Sequence, residues 1–136
     1  MRIRLAKVSE EHLKKCIEAG LWGSNLSRFG KWKQGDHLIL EVGDAIAAVA
    51  QVSGEAYCAT EQVWPGGLFP FRIPVTFEVV TPLTDRPKLI HIKDCLINAW
   101  GRSYGWGILV QAVIEGANAD KIFGIATRMA KTGLSH

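Results

Sequence analysis

The chain has 136 residues, 48% hydrophobic and 21% charged, with a net charge of +3. That length suits one domain, 1–136, with a core needing no disulfide or metal support, and the composition excludes disordered and fibrous classes. No apolar run approaches the roughly 20 residues of a membrane span. The opening Met1-Arg2-Ile3-Arg4-Leu5 lacks the apolar stretch of a secretory signal. Cys16, Cys58 and Cys95 are scattered, with no CxxC pair; they read as reduced, buried small hydrophobes in a soluble cytoplasmic protein.

Residues 2–8 alternate charge and hydrophobe like a first strand. Ser9 offers an N-cap, Glu10 and Glu11 suit the positive first turn, and a helix is expected from Glu10 to Ala19 with Leu13, Cys16 and Ile17 on one face. Gly20 is the natural C-cap. From Gly20 to Gly35 there is no acid, while Arg28, Lys31 and Lys33 stand among Trp22, Phe29 and Trp32. Such a stretch can neutralise phosphates and stack bases, or be a solvated loop with hydrophobic anchors; the residues alone favour neither.

His37–Val42 reads as a strand, Gly43-Asp44 as a two-residue hairpin turn, and 45–53 as the returning partner, whose alanines suit close packing. A long connection, 54–70, contains Trp64-Pro65-Gly66-Gly67; connections of that length are more often functional than idle. Phe71–Val80 is the clearest strand. It places Phe71, Ile73, Val75, Phe77 and Val79 on one face and Arg72, Pro74, Thr76 and Glu78 on the other, with Pro74 marking an edge or a bulge. Residues 88–96 fit a strand or a short helix, 100–107 a glycine-rich aromatic loop, 108–114 a strand, and 119–129 a last helix capped by Asn118. The pattern predicts an α+β open β-barrel of five or six mixed strands with two or three flanking helices.

Catalytic and metal signals are weak. His12, His37, His91 and His136 show no ligand spacing, and there is no P-loop, GxSxG elbow or GxGxxG fingerprint. Neither metal nor cofactor is expected, and the chain reads as a non-enzyme. Glu10/Glu11 and Glu55/Glu61 suit solvation and capping. Tryptophan exceeds expectation: of Trp22, Trp32, Trp64, Trp100 and Trp106, all but Trp32 adjoin glycine or proline. Indoles on loops suit stacking against a heterocycle, at about 1–3 kcal/mol per base; the alternative is that some plug the barrel ends.

At these residues the sequence resembles the EVE domains, relatives of YTH and ASCH domains in the PUA-like superfamily. Leu21-Trp22-Gly23-Ser24 after the first helix is similar to the helix-then-tryptophan segment of EVE and YTH proteins. Lys33-Gln34-Gly35-Asp36 before His37-Leu38-Ile39-Leu40 resembles the basic-x-Gly-Asp turn, 47–52 the small-residue return strand, and Phe69-Pro70-Phe71-Arg72-Ile73 the aromatic-Pro-aromatic-Arg motif. The likeness runs from about residue 3 to residue 126.

The resemblance implies a PUA-like barrel that binds DNA or RNA and holds a modified or flipped base, with an effector on a separate chain in a modification-dependent restriction or RNA-modification system. Trp22 and Trp64 would be the pocket walls, Gly23 and Ser24 would meet the base edge, and His12 would lie beside them. Lys7, Asn25, Arg28, Lys31, Lys33, Arg72 and Arg102 would meet the nucleic-acid backbone. The asparagine that YTH relatives place near the end of the first strand is missing; Lys7, Ser9 and His12 occupy that region. The segment 98–107 is richer in glycine than the family's, either a clamp carrying Arg102 or a surface loop. Two other readings remain: a protein-interaction module using exposed tryptophans such as Trp32 or Trp106, and an ASCH-like enzyme on nucleic acid or nucleosides, for which Lys7, His12 and Glu41 are the candidates.

Overall fold

The computed structural model describes the backbone of residues 1–134 and side chains up to Thr127, so His136 lies outside the described residues. The strands are β1 (Arg2–Lys7), β2 (Leu21–Ser24), β3 (His37–Val42), β4 (Ala45–Val52), β5 (Tyr57–Cys58), β6 (Phe71–Val80) and β7 (Ile114–Glu115). The helices are α1 (Glu10–Ala19), α2 (Lys93–Trp100), α3 (Gly105–Val110) and α4 (Gly116–Leu134). Short 3-10 turns lie at Phe29–Lys31, Leu83–Asp85 and Leu89–Ile92.

Local chemistry sets the first elements. Ser9 Oγ accepts the His12 backbone N–H at 3.1 Å and caps α1. Gly20 ends it in the left-handed conformation, φ 66°, which glycine adopts without steric cost.

One mixed sheet of seven strands carries the fold. Its order is β2-β6-β4-β3-β1-β7, with β5 also on β6. β1 and β3 are parallel, Leu5 opposite Ile39; the other pairs are antiparallel. The order has two unjoined ends, so the sheet does not close as a barrel.

The central strands are buried on both faces, which is why they read as nearly continuous apolar runs. On one face, Ala6, Leu38, Leu40, Ala48 and Ala50 pack with Leu13 and Cys16 of α1 and with Trp22 and Trp64. On the other, Ile3, Leu5, Ile39 and Val49 pack with Cys95 and Leu96 of α2, Ile108 of α3, and Ala119, Ile122 and Ala126 of α4.

Several sequence expectations are corrected. The α+β class holds, with seven strands in place of five or six and four α-helices in place of two or three among the described residues. Two-residue β5 and β7 are too short to carry a periodic signal. Of residues 108–114 only Ile114 is in a strand: Gly105–Val110 is helical, and Gly107 lets the Trp100 ring pack on its backbone, where a Cβ would stand 2.2 Å from the ring. The β-branched run had disguised that turn of helix. The glycine-rich segment 98–107 is the end of α2, a turn and the start of α3. β6 is interior, not an edge; Pro74 sits where its pairing passes from β2 to β4, so the missing N–H breaks no ladder. Cys58 is exposed, whereas Cys16 and Cys95 are buried.

The Lys33–Asp36 turn is an internal ionic knot. Asp36, buried, accepts Arg4 Nη1 at 2.8 Å, Arg2 Nε at 3.1 Å and the Lys33 backbone N–H at 3.0 Å. The Arg4 guanidinium lies 4.6 Å from the Trp32 ring centroid.

Candidate functional site

A cavity of about 790 Å³ opens beyond the carboxyl ends of the parallel pair β1 and β3. Its size is in the range of small-molecule sites. Lys7 and Val8 follow from β1, Ser9 and His12 from the start of α1, Trp22 to Leu26 and Arg28 from β2 and beyond, and Glu41 from β3. Phe69 comes from the long connection, Leu89 from a 3-10 turn, and Tyr104, Gly105, Ile108, Leu109 and Gln111 from around α3. Arg28 Nη1 donates to the Leu109 carbonyl at 3.1 Å, tying the β2 side of the rim to α3.

The aromatic wall is a cluster. His12 meets Trp22 edge-on at 5.9 Å and Phe69 edge-on at 5.0 Å, and stacks on Trp64 at 5.5 Å. Burial pushes the His12 pKa down, so the neutral ring is favoured. Trp22, His12 and Phe69 line the cavity.

Trp64 does not. It is 0% exposed, behind His12 and Gly23, and its Nε1 donates to Cys16 Sγ at 3.2 Å. Burial pushes the Cys16 thiol up to about 12 in spite of that bond. The pocket wall expected of Trp64 is therefore a buried brace. Gly23 is what lets the ring in: a Cβ there would stand 2.5 Å from the Trp64 ring and 3.0 Å from Phe69 Cβ. Gly23→Ala is expected to destabilise the fold by about 1–3 kcal/mol through overpacking, read as a lower midpoint in urea denaturation; an unchanged midpoint would mean the ring can move aside.

Arg72 is also corrected. It is 0% exposed, and Nε donates to the Phe69 carbonyl at 3.2 Å while Nη2 bonds the carbonyls of Leu68, at 3.2 Å, and Glu61. With its guanidinium 5.2 Å from the Trp64 ring centroid, it props the long connection from inside and reaches no phosphate. Asn25 is engaged too, its Oδ1 accepting the Phe69 N–H at 3.2 Å. Ser24, nearly buried, caps the Leu26 N–H with its Oγ at 3.1 Å. Lys7 and Arg28 line the cavity; Lys31, Lys33 and Arg102 are exposed outside its lining.

Two features set the cavity apart from the rest of the described structure. Among the described residues, six buried side-chain polar atoms have no hydrogen-bond partner, and four belong to its lining: Trp22 Nε1, Arg28 Nε, Glu41 Oε2 and Gln111 Oε1. Buried polar groups are ordinarily paired with protein or ordered water, and these four lie in the cavity lining, where water or a ligand can fill that role. Among the described residues, the two non-glycine positions with positive φ are Phe69, 46°, and Gln111, 56°, and both line it. Each costs on the order of 1–3 kcal/mol, strain that gathers at binding sites. Sequence reasoning passed over Gln111 and used Phe69 only in a motif; a left-handed backbone at a non-glycine residue leaves no local signal. Glu41 did carry one, a lone acid in an apolar strand. Among the described residues no three His, Cys, Asp or Glu side chains form a metal-binding group, and no helix is long and apolar enough to cross a membrane.

No family model matches the chain, and no curated protein matches it in sequence. Solved structures do match in fold. The YTH domain of Zygosaccharomyces rouxii MRB1, in complex with N6-methyladenosine RNA, superposes with a TM-score of 0.65 at 17% identity, over 90% of this chain and 84% of that one. The YTH domain-containing protein mmi1, in an RNA complex, gives 0.71 at 8% identity, over 99% and 87%. Rpa0253 from Rhodopseudomonas palustris gives 0.55 at 18% identity, over 97% and 94%. The chain has the fold of YTH domains.

Proposed function

We propose that the chain is a non-catalytic reader of a modified, methylated base in nucleic acid, an EVE-type domain of the PUA-like group, spanning 1–136 and cytoplasmic. The observation that carries this reading is Trp22: an indole 5% exposed in the wall of a large cavity, edge-on to His12, with its own Nε1 unpartnered and Phe69 also in the lining. Aromatic faces hold bases by stacking, and buried unpaired donors and acceptors beside them can meet a base edge. The YTH domain of Zygosaccharomyces rouxii MRB1, of the same fold, was solved in complex with N6-methyladenosine RNA, which favours RNA as the first probe. In this reading Gly23 and Ser24 present backbone to the base. Lys7 and Arg28 meet the adjoining phosphates, Lys31, Lys33 and Arg102 those farther along the strand, and an effector on a separate chain acts on the bound nucleic acid.

The test is a fluorescence titration with matched single-stranded RNAs bearing adenosine or N6-methyladenosine at the centre, and DNAs bearing cytosine or 5-methylcytosine. The parent should prefer a methylated strand, with affinity falling as salt rises. Trp22→Ala should weaken binding about tenfold or more, the loss of one stacking platform. Because Trp22 also packs in the core, binding is compared at a temperature where melting curves show both proteins folded. Folded Trp22→Ala that binds as the parent does would remove the cavity from the reading.

A further inference from the structure

Stacking accounts for the aromatic wall and leaves Glu41 unexplained. The β3–β4 register shifts between Leu40 and Glu41, an irregularity of the kind that re-aims side chains next to functional sites. The Glu41 side chain is 4% exposed, yet its Oε2 has no partner. The nearest cation, Lys7 Nζ, is 3.9 Å from Oε1 and itself 65% exposed. Burial pushes the carboxyl's pKa up; Lys7 offsets part of that and Asp44 adds to it. The ionised acid therefore costs the free protein stability, and a neutral side chain of similar shape would suit the fold better.

The cavity's other orphans make the pattern specific. Gln111 offers a second unpartnered acceptor, on an amide that can turn to present its NH₂. Trp22 Nε1 and Arg28 Nε are donors. A ligand that satisfies this set donates toward Glu41 and accepts elsewhere, which describes the amino-bearing edge of a nucleobase. A carboxylate can accept and cannot donate, so it discriminates against an edge without N–H.

We propose that Glu41 is the specificity-determining residue of the cavity: its carboxylate accepts a hydrogen bond from an N–H on the edge of the held base, admitting an amino or monoalkylamino base and rejecting one whose exocyclic nitrogen is fully alkylated. This rests on the base-holding reading above.

The experiment uses the full chain and three RNAs that differ only in a central adenosine, N6-methyladenosine or N6,N6-dimethyladenosine. The parent should bind the dimethyl strand about tenfold or more below the monomethyl strand, as expected for a lost hydrogen bond to a charged group. Glu41→Gln, which keeps a neutral acceptor, should narrow that ratio, and Glu41→Leu should bring it near unity. Both variants should melt at or above the parent's temperature. A merely structural role for Glu41 predicts lower melting temperatures and equal weakening on all three strands, and that result overturns the proposal. So does an undiminished ratio in Glu41→Leu. If the parent binds a methylated strand through Trp22 while the Glu41 variants keep the ratio, only the edge assignment falls. If the parent binds none of these RNAs and none of the methylated or unmethylated DNAs above, the base-holding reading falls with it.

Discussion

Trp64→Ala is expected to destabilise the protein by about 3–5 kcal/mol, the range for truncating a large buried aromatic side chain. The ring is enclosed by residues from separate parts of the chain: Cys16 takes its N–H, His12 stacks on it, Phe69 meets it edge-on, and the Arg72 guanidinium lies beside it. Cys16 and His12 are held by α1 and Arg72 by β6, so they cannot follow the lost ring inward. The cavity left behind would also free Phe69 and with it one side of the ligand site. Guanidinium denaturation followed by circular dichroism measures the loss. A variant within about 1 kcal/mol of the parent that nonetheless lost RNA affinity would make Trp64 a ligand wall after all.

Asp36→Leu is expected to cost about 3–5 kcal/mol, the penalty for stranding a buried charge. Arg4 is 3% exposed and cannot reach water once its carboxylate is gone. The double variant Arg4→Met with Asp36→Leu should recover most of that loss, since apolar replacements of a buried ion pair are often neutral or better; a double variant as unstable as the single would point to the Lys33 turn as what Asp36 protects. The same knot sets a pH dependence. Burial pushes the Asp36 carboxyl up, but the Lys33 N–H and the Arg4 and Arg2 hydrogen bonds outweigh it and hold the pKa below its ordinary 3.8. The stabilisation is therefore complete above the unfolded-state value and is lost as pH falls through the lower folded-state value. Parent stability should drop on acidification below about pH 4, and Asp36→Leu should show a shallower drop.

The architecture was legible where chemistry is local. Ser9 and Gly20 bound α1 at both ends, the Gly43-Asp44 turn gave the β3–β4 hairpin, and alternation gave β6. Legibility ended where the deciding contact comes from far along the chain. Trp22 and Trp64 have the same signature, an indole beside glycine or proline, yet one lines the cavity and the other is sealed beneath Gly23. Alternation puts Arg72 on the polar face of β6, and so it is; the long connection then covers that face and supplies carbonyls to its guanidinium. The basic stretch reads equally as a phosphate-binding surface or an anchored loop; in the fold Asp36 draws Arg2 and Arg4 of β1 to it, and the Lys31 carbonyl accepts both.

The cavity lining runs from Lys7 to Gln111 and draws on three strands, β1, β2 and β3, on α1, α3 and a 3-10 turn, and on the connections between them. No short piece of chain reproduces it, so a compound that fits has almost nothing to hold in the unfolded ensemble. Occupancy is then coupled to global unfolding: a ligand at a hundred times its Kd adds about 2.7 kcal/mol of stability, enough to raise the melting temperature by several degrees. A melting-curve screen of free nucleosides and short oligonucleotides therefore reports on this site without any assumption about sequence context or downstream effect.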